Sequence, residues 1–348
     1  MVLISDLWVP DTWIQAIRER QATFPVLFQS KVVTRAPLFD EIATGPGTTV
    51  NMPFFKDITD QDDEIQVENQ APVTDNGQPA GVMVATPLNR VCKNSSGALA
   101  AQLSGADPMA AIIDQMLMRR MKQNQKVFLA MLRGQLGTAG AANAAAALAA
   151  MRVGGTAAEP FIENGAAATD DNLMSPDLFI DAKALMGELA NDLADGVFWC
   201  HTDVRARLEK LDALNFRTLQ LPSELPFNIE TYRNVPIVCS DFLVRAGTGG
   251  GYVYDSYLIS GGVVAYGEKP QKADTADVAS LSYFYDRDKN NELIWDRNRK
   301  ILHTNGMKWV GAPAGQSATN AELQTPANWN LVWQTANRCG ITAVRTNG

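Results

Sequence analysis

Apolar positions along the chain change period several times, and those changes predict its elements. From Met109 they fall at three- and four-residue steps through Ile112, Ile113, Met116, Leu117, Met121, Phe128, Met131 and Leu132, the spacing of one helical stripe. Asp107 stands at the N-cap and Pro108 at the first helical position, where a missing N–H leaves no bond unmade. Gly134 is placed to end this rod, about 39 Å long at 1.5 Å per residue, and its other face carries Arg119, Arg120, Lys122, Lys126 and Arg133. Ser175-Pro176 repeats the cap-plus-proline start and opens a stripe of Leu178, Ala182, Leu185, Met186, Leu189 and Leu193 that stops near Gly196. Val197 to Cys200 reads as a brief buried strand, and Thr202 caps a short helix through Leu211. Nearer the start, Leu7, Val9, Trp13, Ile14 and Ile17 suit a short arm followed by a helix opening at Pro10 or Asp11.

Elsewhere the pattern is that of strands. Val50–Phe55, Ile65–Val67 and Val82–Leu88 flank an acidic middle with Asp57, Asp60, Asp62, Asp63 and Glu64. Val82, Val84 and Thr86 alternate with Met83 and Ala85, which are not polar, so neither face is marked as the wet one. A long two-stranded ribbon fits, and such a ribbon is marginal alone in water, so it needs a surface to lie on. Further strands are predicted at Asn228–Tyr232, Val235–Cys239, Tyr252–Ile259, Val263–Tyr266, Val278–Tyr285 and Leu293–Leu302. Between Gln135 and Thr169 the chain is rich in Ala and Gly, read as a thin helix with flexible flanks. Near the end, ILHTNGMKW (Ile301–Trp309) and ELQTPANWNLVW (Glu322–Trp333) supply a tight Asn305-Gly306 turn and bulky Trp anchors. The predicted class is α+β, with the middle helices packed on antiparallel sheet.

Composition narrows the functions. A length of 348 residues leaves room for two packed regions, and 46% hydrophobic with 20% charged residues excludes disorder for the whole. The net charge of -8 disfavours binding driven by neutralising nucleic-acid phosphates, so DNA contacts are expected to be weak and non-specific. No apolar run nears the roughly 20 residues of a membrane span, and Met1–Pro10 lacks a secretory pattern, so no membrane is expected and synthesis is placed in a cytoplasm.

Candidate chemistry is thin. Cys92, Cys200, Cys239 and Cys339 have no CxxC spacing; free thiols are expected, and a metal held by Cys200, His201, Cys239 and Cys339 would lack any short-spaced cysteine pair. His201 and His303 lie at strand ends without a nucleophile at any known spacing, so capping or core hydrogen bonding is expected of them. A hydrolase using either with a nearby carboxylate is one reading, and a carbohydrate-binding protein drawing on the seven Trp is another. The string GTGGGY at Gly247–Tyr252 is followed by a strand where a phosphate cradle needs a helix, and reads as a loose hairpin tip. The acidic run Asp60–Glu64 lacks the glycine and distal Glu of a Ca²⁺ loop. No catalytic residue, cofactor or metal is predicted.

The order of elements, with LSGADP (Leu103–Pro108), WCHTDVRARLEKL (Trp199–Leu211), FNIETYRNVPIVCSD (Phe227–Asp241) and the carboxyl-terminal strings ILHTNGMKW, ANWNLVW and GITAVRTNG, resembles the major capsid (coat) protein of tailed bacteriophages, the Hong Kong 97-type fold. The resemblance implies an N-terminal arm (1–45), an extended β-hairpin loop (46–92), a long spine helix with the Ala/Gly segment of the peripheral domain (93–174), an axial domain (175–265) and a return to peripheral strands (266–348). It further implies self-assembly into hexamers and pentamers of an icosahedral head around double-stranded DNA, with a portal, possible decoration protein and motor as partners. The subunit would move from host cytoplasm to virion. No long charged extension precedes the arm, so a separate scaffolding protein is expected. In such shells the extended loop crosses a neighbour, which makes Asp60, Asp62, Asp63 and Glu64 candidates to meet Arg119, Arg120 or Lys122 of the next subunit. The alternative within the same fold is an encapsulin-like bacterial nanocompartment shell.

Overall fold

The computed structural model describes residues 32–35, 39, 40, 43, 47–57, 77–97, 108–137, 147–154, 162–166, 172–219, 229–270, 281–289 and 291–348. The expected arm and helix before Phe28, the acidic residues Asp60, Asp62, Asp63 and Glu64, the strand at Ile65–Val67 and most of the Ala/Gly segment lie outside them. In chain order, β1 (Val33–Arg35), β2 (Val50–Phe55), β3 (Ala80–Ala85) and β4 (Leu88–Gly97) precede the long helix α1 (Pro108–Leu136). Next come β5 (Arg152–Val153), α2 (Pro176–Leu185), β6 (Val197–Cys200), α3 (Thr202–Leu211), β7 (Phe216–Leu219), β8 (Ile229–Tyr232), β9 (Val235–Cys239), β10 (Val244–Ala246), β11 (Tyr252–Ile259) and β12 (Val264–Pro270). The chain closes with β13 (Leu281–Asp286), β14 (Asn291–Thr304), β15 (Met307–Trp309), α4 (Asn320–Gln324), β16 (Trp329–Leu331) and β17 (Ile341–Thr346).

Three sheets result. In the first, β14 is the axis: β4 pairs along one edge, from Leu88 opposite Lys300 to Gly97 opposite Asn291, while β12 and β13 share the other edge and β1 lies outside β12. The largest has the order β5-β17-β11-β6-β9-β8-β7, with β10 also on β11, and the smallest the order β16-β15-β3-β2. Most ladders are antiparallel as expected, but β1–β12, β15–β3, β17–β5 and β6–β9 run parallel. Parallel neighbours need a crossover rather than a hairpin, and α3 lies in the one from β6 to β9. The all-apolar sequence of β6, Val-Phe-Trp-Cys, suits a strand buried on both faces, as it is here.

One core joins α1 to the largest sheet and to the carboxyl-terminal Trp residues. Phe128 of α1 stacks on Trp199 of β6 with centroids 5.8 Å apart. The Trp anchors pair across β15 and β16, Trp309 against Trp329 edge to face at 5.0 Å, and the Trp329 indole N–H donates to the Leu323 carbonyl at 2.8 Å.

Four local expectations are corrected. Gly134 does not end α1, which runs on to Leu136 before Gly137 takes φ +92. Its role is proximity: a Cβ there would collide with the Leu323 carbonyl oxygen and lie 2.7 Å from Trp329 Nε1. Gly134→Ala is therefore expected to cost about 1–3 kcal/mol by overpacking, read as a lowered urea midpoint; an unchanged midpoint would contradict this close approach. The stripe from Leu178 to Leu193 is not one helix, because α2 ends at Leu185, Gly187 adopts φ +59 and a 3₁₀ segment covers Gly187–Asp195. The described part of the Ala/Gly segment is a 3₁₀ turn at Ala149–Met151 leading into β5, since the bulk buried there comes from Leu148 and Met151. The GTGGGY tip between β10 and β11 is braced, with Thr248 N–H donating to the Glu163 carbonyl at 2.9 Å and Gly165 bridged to Gly251.

Candidate assembly surfaces

The β2–β3 ribbon has two unlike faces. Alternation along β2 leaves Pro53 and Phe55 outward, and the register sets them opposite Val82 and Ala80, so one face is a bare apolar strip on which Phe55 is 74% exposed. Scattered exposed apolar residues are ordinary, but a contiguous strip on a two-stranded ribbon marks a contact surface. The opposite face is braced by the carboxyl-terminal region: Phe54, Met83 and Trp333 line a cleft of about 350 Å³ that Phe55 also borders at the ribbon edge, Arg338 pairs with Asp57 at 2.9 Å and Gln334 donates to the Asp57 carbonyl at 3.2 Å. At the ribbon base Ala85 packs with Ala43 and Ile301.

The basic face expected on α1 is split. Arg119, Lys122 and Lys126 line a cleft of about 300 Å³ with Asn94, Gln115, Met116 and Gln123, and no carboxylate lines it among the described residues. Arg120 points the other way, holding Asp296 at 2.6 Å and Glu268 at 3.5 Å. Behind it, buried Lys300 donates to Asn124, and Asn124 donates to the Tyr266 hydroxyl at 3.2 Å. Burial pushes Lys300 down to about 8, against the opposing pull of Glu268.

A second charged cluster, not anticipated from sequence, ties the end of α1 to the largest sheet. Asp255 of β11 receives Arg345 at 2.7 Å, Arg133 at 2.9 Å and Arg245 at 3.5 Å. Glu163 pairs with Arg345 and with Arg245, the latter at 2.9 Å. Arg345 is 1% exposed and Asp255 2%. Burial by itself raises the Asp255 carboxyl, but Arg345, Arg133 and Arg245 outweigh it and hold the group below the usual carboxylate range. The available signal was a charge inside otherwise apolar strands, Tyr-Val-Tyr-Asp-Ser-Tyr-Leu-Ile and Ile-Thr-Ala-Val-Arg-Thr, since such a charge must be paired to be buried.

Both imidazoles have structural places. His201, and not Thr202 as expected, caps α3, its Nδ1 accepting from Asp203 N–H at 3.1 Å, and Asp203 in turn accepts from the Tyr254 hydroxyl at 2.9 Å. His303 is sealed in the core at 2% exposure. Cys200 and Cys239 are neighbours on β6 and β9, and no group of three His, Cys, Asp or Glu set for a metal occurs among the described residues. Among those residues no helix is long and apolar enough to cross a membrane.

No protein-family model matches the chain. It is 27% identical over 338 residues to the major capsid protein of Bacillus phage SPP1, covering 95% of this chain and 94% of the relative. Two solved structures share the fold: the capsid of Ralstonia phage GP4, with TM-score 0.62 and 9% identity over 97% of this chain and 94% of the other, and the cyanophage Pam1 capsid, with TM-score 0.59 and 12% identity over 99% and 98%. The encapsulin of the holo-SrpI complex from Synechococcus elongatus PCC 7942 is also similar, with TM-score 0.50 and 12% identity over 99% of this chain and 93% of the other. At these identities the structures speak to fold alone. Over nearly its whole length, the chain is similar in sequence to a phage major capsid protein and has the fold of phage capsid proteins.

Proposed function

We propose that this chain is the major capsid protein of a tailed phage, tiling with copies of itself as hexamers and pentamers into the icosahedral head that encloses double-stranded DNA. The observation that carries the reading is the similarity to the SPP1 major capsid protein along 95% of the chain, and the bare apolar strip on the ribbon is the surface such tiling would cover. In this reading α1 is the spine helix, residues 46–92 form the extended loop and residues 175–265, with much of the largest sheet, form the axial domain. The task is structural, not catalytic. The fold likeness to an encapsulin leaves a nanocompartment shell as the alternative, and the phage protein is favoured because the sequence similarity is to a phage capsid protein.

Cohesion rests on apolar burial of Pro53, Phe55, Ala80 and Val82 against a neighbour, repeated over a closed lattice. Asp60, Asp62, Asp63 and Glu64 of one subunit meet Arg119 and Lys122 of the next, while Arg120 serves its own subunit through Asp296 and Glu268. Exposed pairs contribute about 0–1 kcal/mol each, so these contacts set register more than strength. The subunit is made in host cytoplasm and assembles on a separate scaffolding protein, with portal and possible decoration protein as further partners, and its acidic wall touches packaged DNA weakly.

The test is co-expression with a scaffolding protein followed by electron microscopy and sizing. Closed particles without cargo are expected, since neither portal nor motor is supplied; particles holding an enzyme would favour the nanocompartment, and a protein that stays monomeric would overturn the reading. Reversing Asp62, Asp63 and Glu64 to Lys together is expected to cut the assembled fraction about tenfold, the effect of about 1.4 kcal/mol summed over the three reversed charges. An unchanged yield would remove the charge contact and leave the apolar one.

A further inference from the structure

The middle of the largest sheet holds two cysteines side by side. β6 and β9 run parallel with Cys200 in register with Cys239, and in-register residues of adjacent strands lie about 4.8 Å apart on the same face. That separation falls within the roughly 4.4–6.8 Å between Cα atoms that a disulfide spans. Each thiol shifts the ionisation of the other. Their surroundings sort their roles: Cys200 is fully buried, Cys239 is partly exposed, and Arg205, held by Glu230 at 2.5 Å, lies near Cys239. The neighbouring Cys200 holds the Cys239 thiol below its usual range, burial opposes that, and Arg205 adds to the lowering. Cys200 is pushed well up by Cys239 and by burial. One thiol is thus reachable and the more easily ionised, with a sealed partner beside it.

We infer that Cys239 and Cys200 form a thiol pair that closes into a disulfide within the subunit when the protein meets a small-molecule disulfide such as oxidised glutathione. The Cys239 thiolate attacks one sulfur of the oxidant, whose S–S bond breaks as one small thiolate leaves and takes up a proton. Cys200 then loses its proton and attacks the Cys239 sulfur, expelling the second small thiol. Two protein thiols give up two electrons and two protons, and the oxidant becomes two thiols. The bond ties β6 to β9 around the excursion that contains α3, β7 and β8. Resting on the shell reading, the pair stays open during assembly in a reducing cell and closes after release into an oxidising medium.

The experiment incubates the Cys92→Ser protein with oxidised glutathione at about pH 8, then alkylates under denaturing conditions and measures intact and peptide mass; Cys92 is removed because it is also partly exposed. Expected are loss of two hydrogens, a peptide pair joined through Cys200 and Cys239, and a thermal midpoint raised by several degrees. Adding Cys200→Ser should leave one glutathione standing on Cys239, and adding Cys239→Ser should leave Cys200 unreacted. Full alkylation of every thiol, or a glutathione adduct that persists with Cys200 present, would overturn the inference. A joined pair in a protein that never forms particles would uphold it while the shell reading fails.

Discussion

Replacing Asp255 with Asn is expected to destabilise the subunit by about 3–5 kcal/mol, the cost of removing one partner from a buried ion network. Asp255 stands between three guanidinium groups, those of Arg345, Arg133 and Arg245, and Glu163 is the other carboxylate of the cluster. Without the Asp255 charge, one carboxylate is left for three cations in a region where Arg345 and Asp255 are nearly inaccessible. The loss should appear as a lowered urea midpoint of the unassembled subunit with an unchanged slope. Arg345→Met should also destabilise, and the double variant should lose less than the sum of the two, because each change removes a charge the other leaves stranded. A shift below about 1 kcal/mol for Asp255→Asn would mean that water reaches the cluster and screens it. Arg133 belongs to α1, Asp255 to β11 and Arg345 to β17, so the network fixes how the long helix meets the sheet.

What the sequence made legible follows from range. Elements set by neighbouring residues were readable: the cap-and-proline start of α2 with Ser175 accepting from Leu178 N–H, the long helix α1 though not its single stripe, since Met121 is exposed and Val127–Leu132 is buried on every side, and the apolar runs that became β2, β6, β9 and β11. Pairing between distant segments was not. β5, β10 and β17 are short or mixed in polarity, and the four parallel ladders depend on crossovers that no local pattern records. Gly134 looked like a terminator because proximity to α4 is invisible along the chain. Arg119, Arg120 and Lys122 were grouped as one face, yet successive helical residues point about 100° apart. Arg119, Lys122 and Lys126 therefore share a side while Arg120 turns to Asp296. The same limit applies to the interface: the ribbon was foreseen as unable to stand alone, but which face is bare depended on Trp333 and Arg338 covering the other.

Acid should weaken the subunit through His303 well before its carboxylates titrate. Burial pushes this imidazole from 6.5 down to about 4, partly offset by a hydrogen bond with the Met307 backbone. Below 6.5 the unfolded chain therefore binds a proton that the folded chain refuses, so stability is present at neutral pH and is lost as pH falls from 6.5 towards 4. A shift of that size corresponds to about 3 kcal/mol in all, with about 2 kcal/mol of it gone by roughly pH 5. Asp255 acts in a different window, since its lowered value keeps its contribution until pH falls below 3.8. His303→Gln supplies a ring-sized polar group that does not titrate. It costs some packing at every pH, but it should flatten the dependence of the urea midpoint on pH between about 7 and 5 relative to the parent. If parent and variant lose stability in parallel over that interval, the sealed imidazole is not the acid-sensitive element, and water or a movement of the β14 end near Met307 must admit its proton.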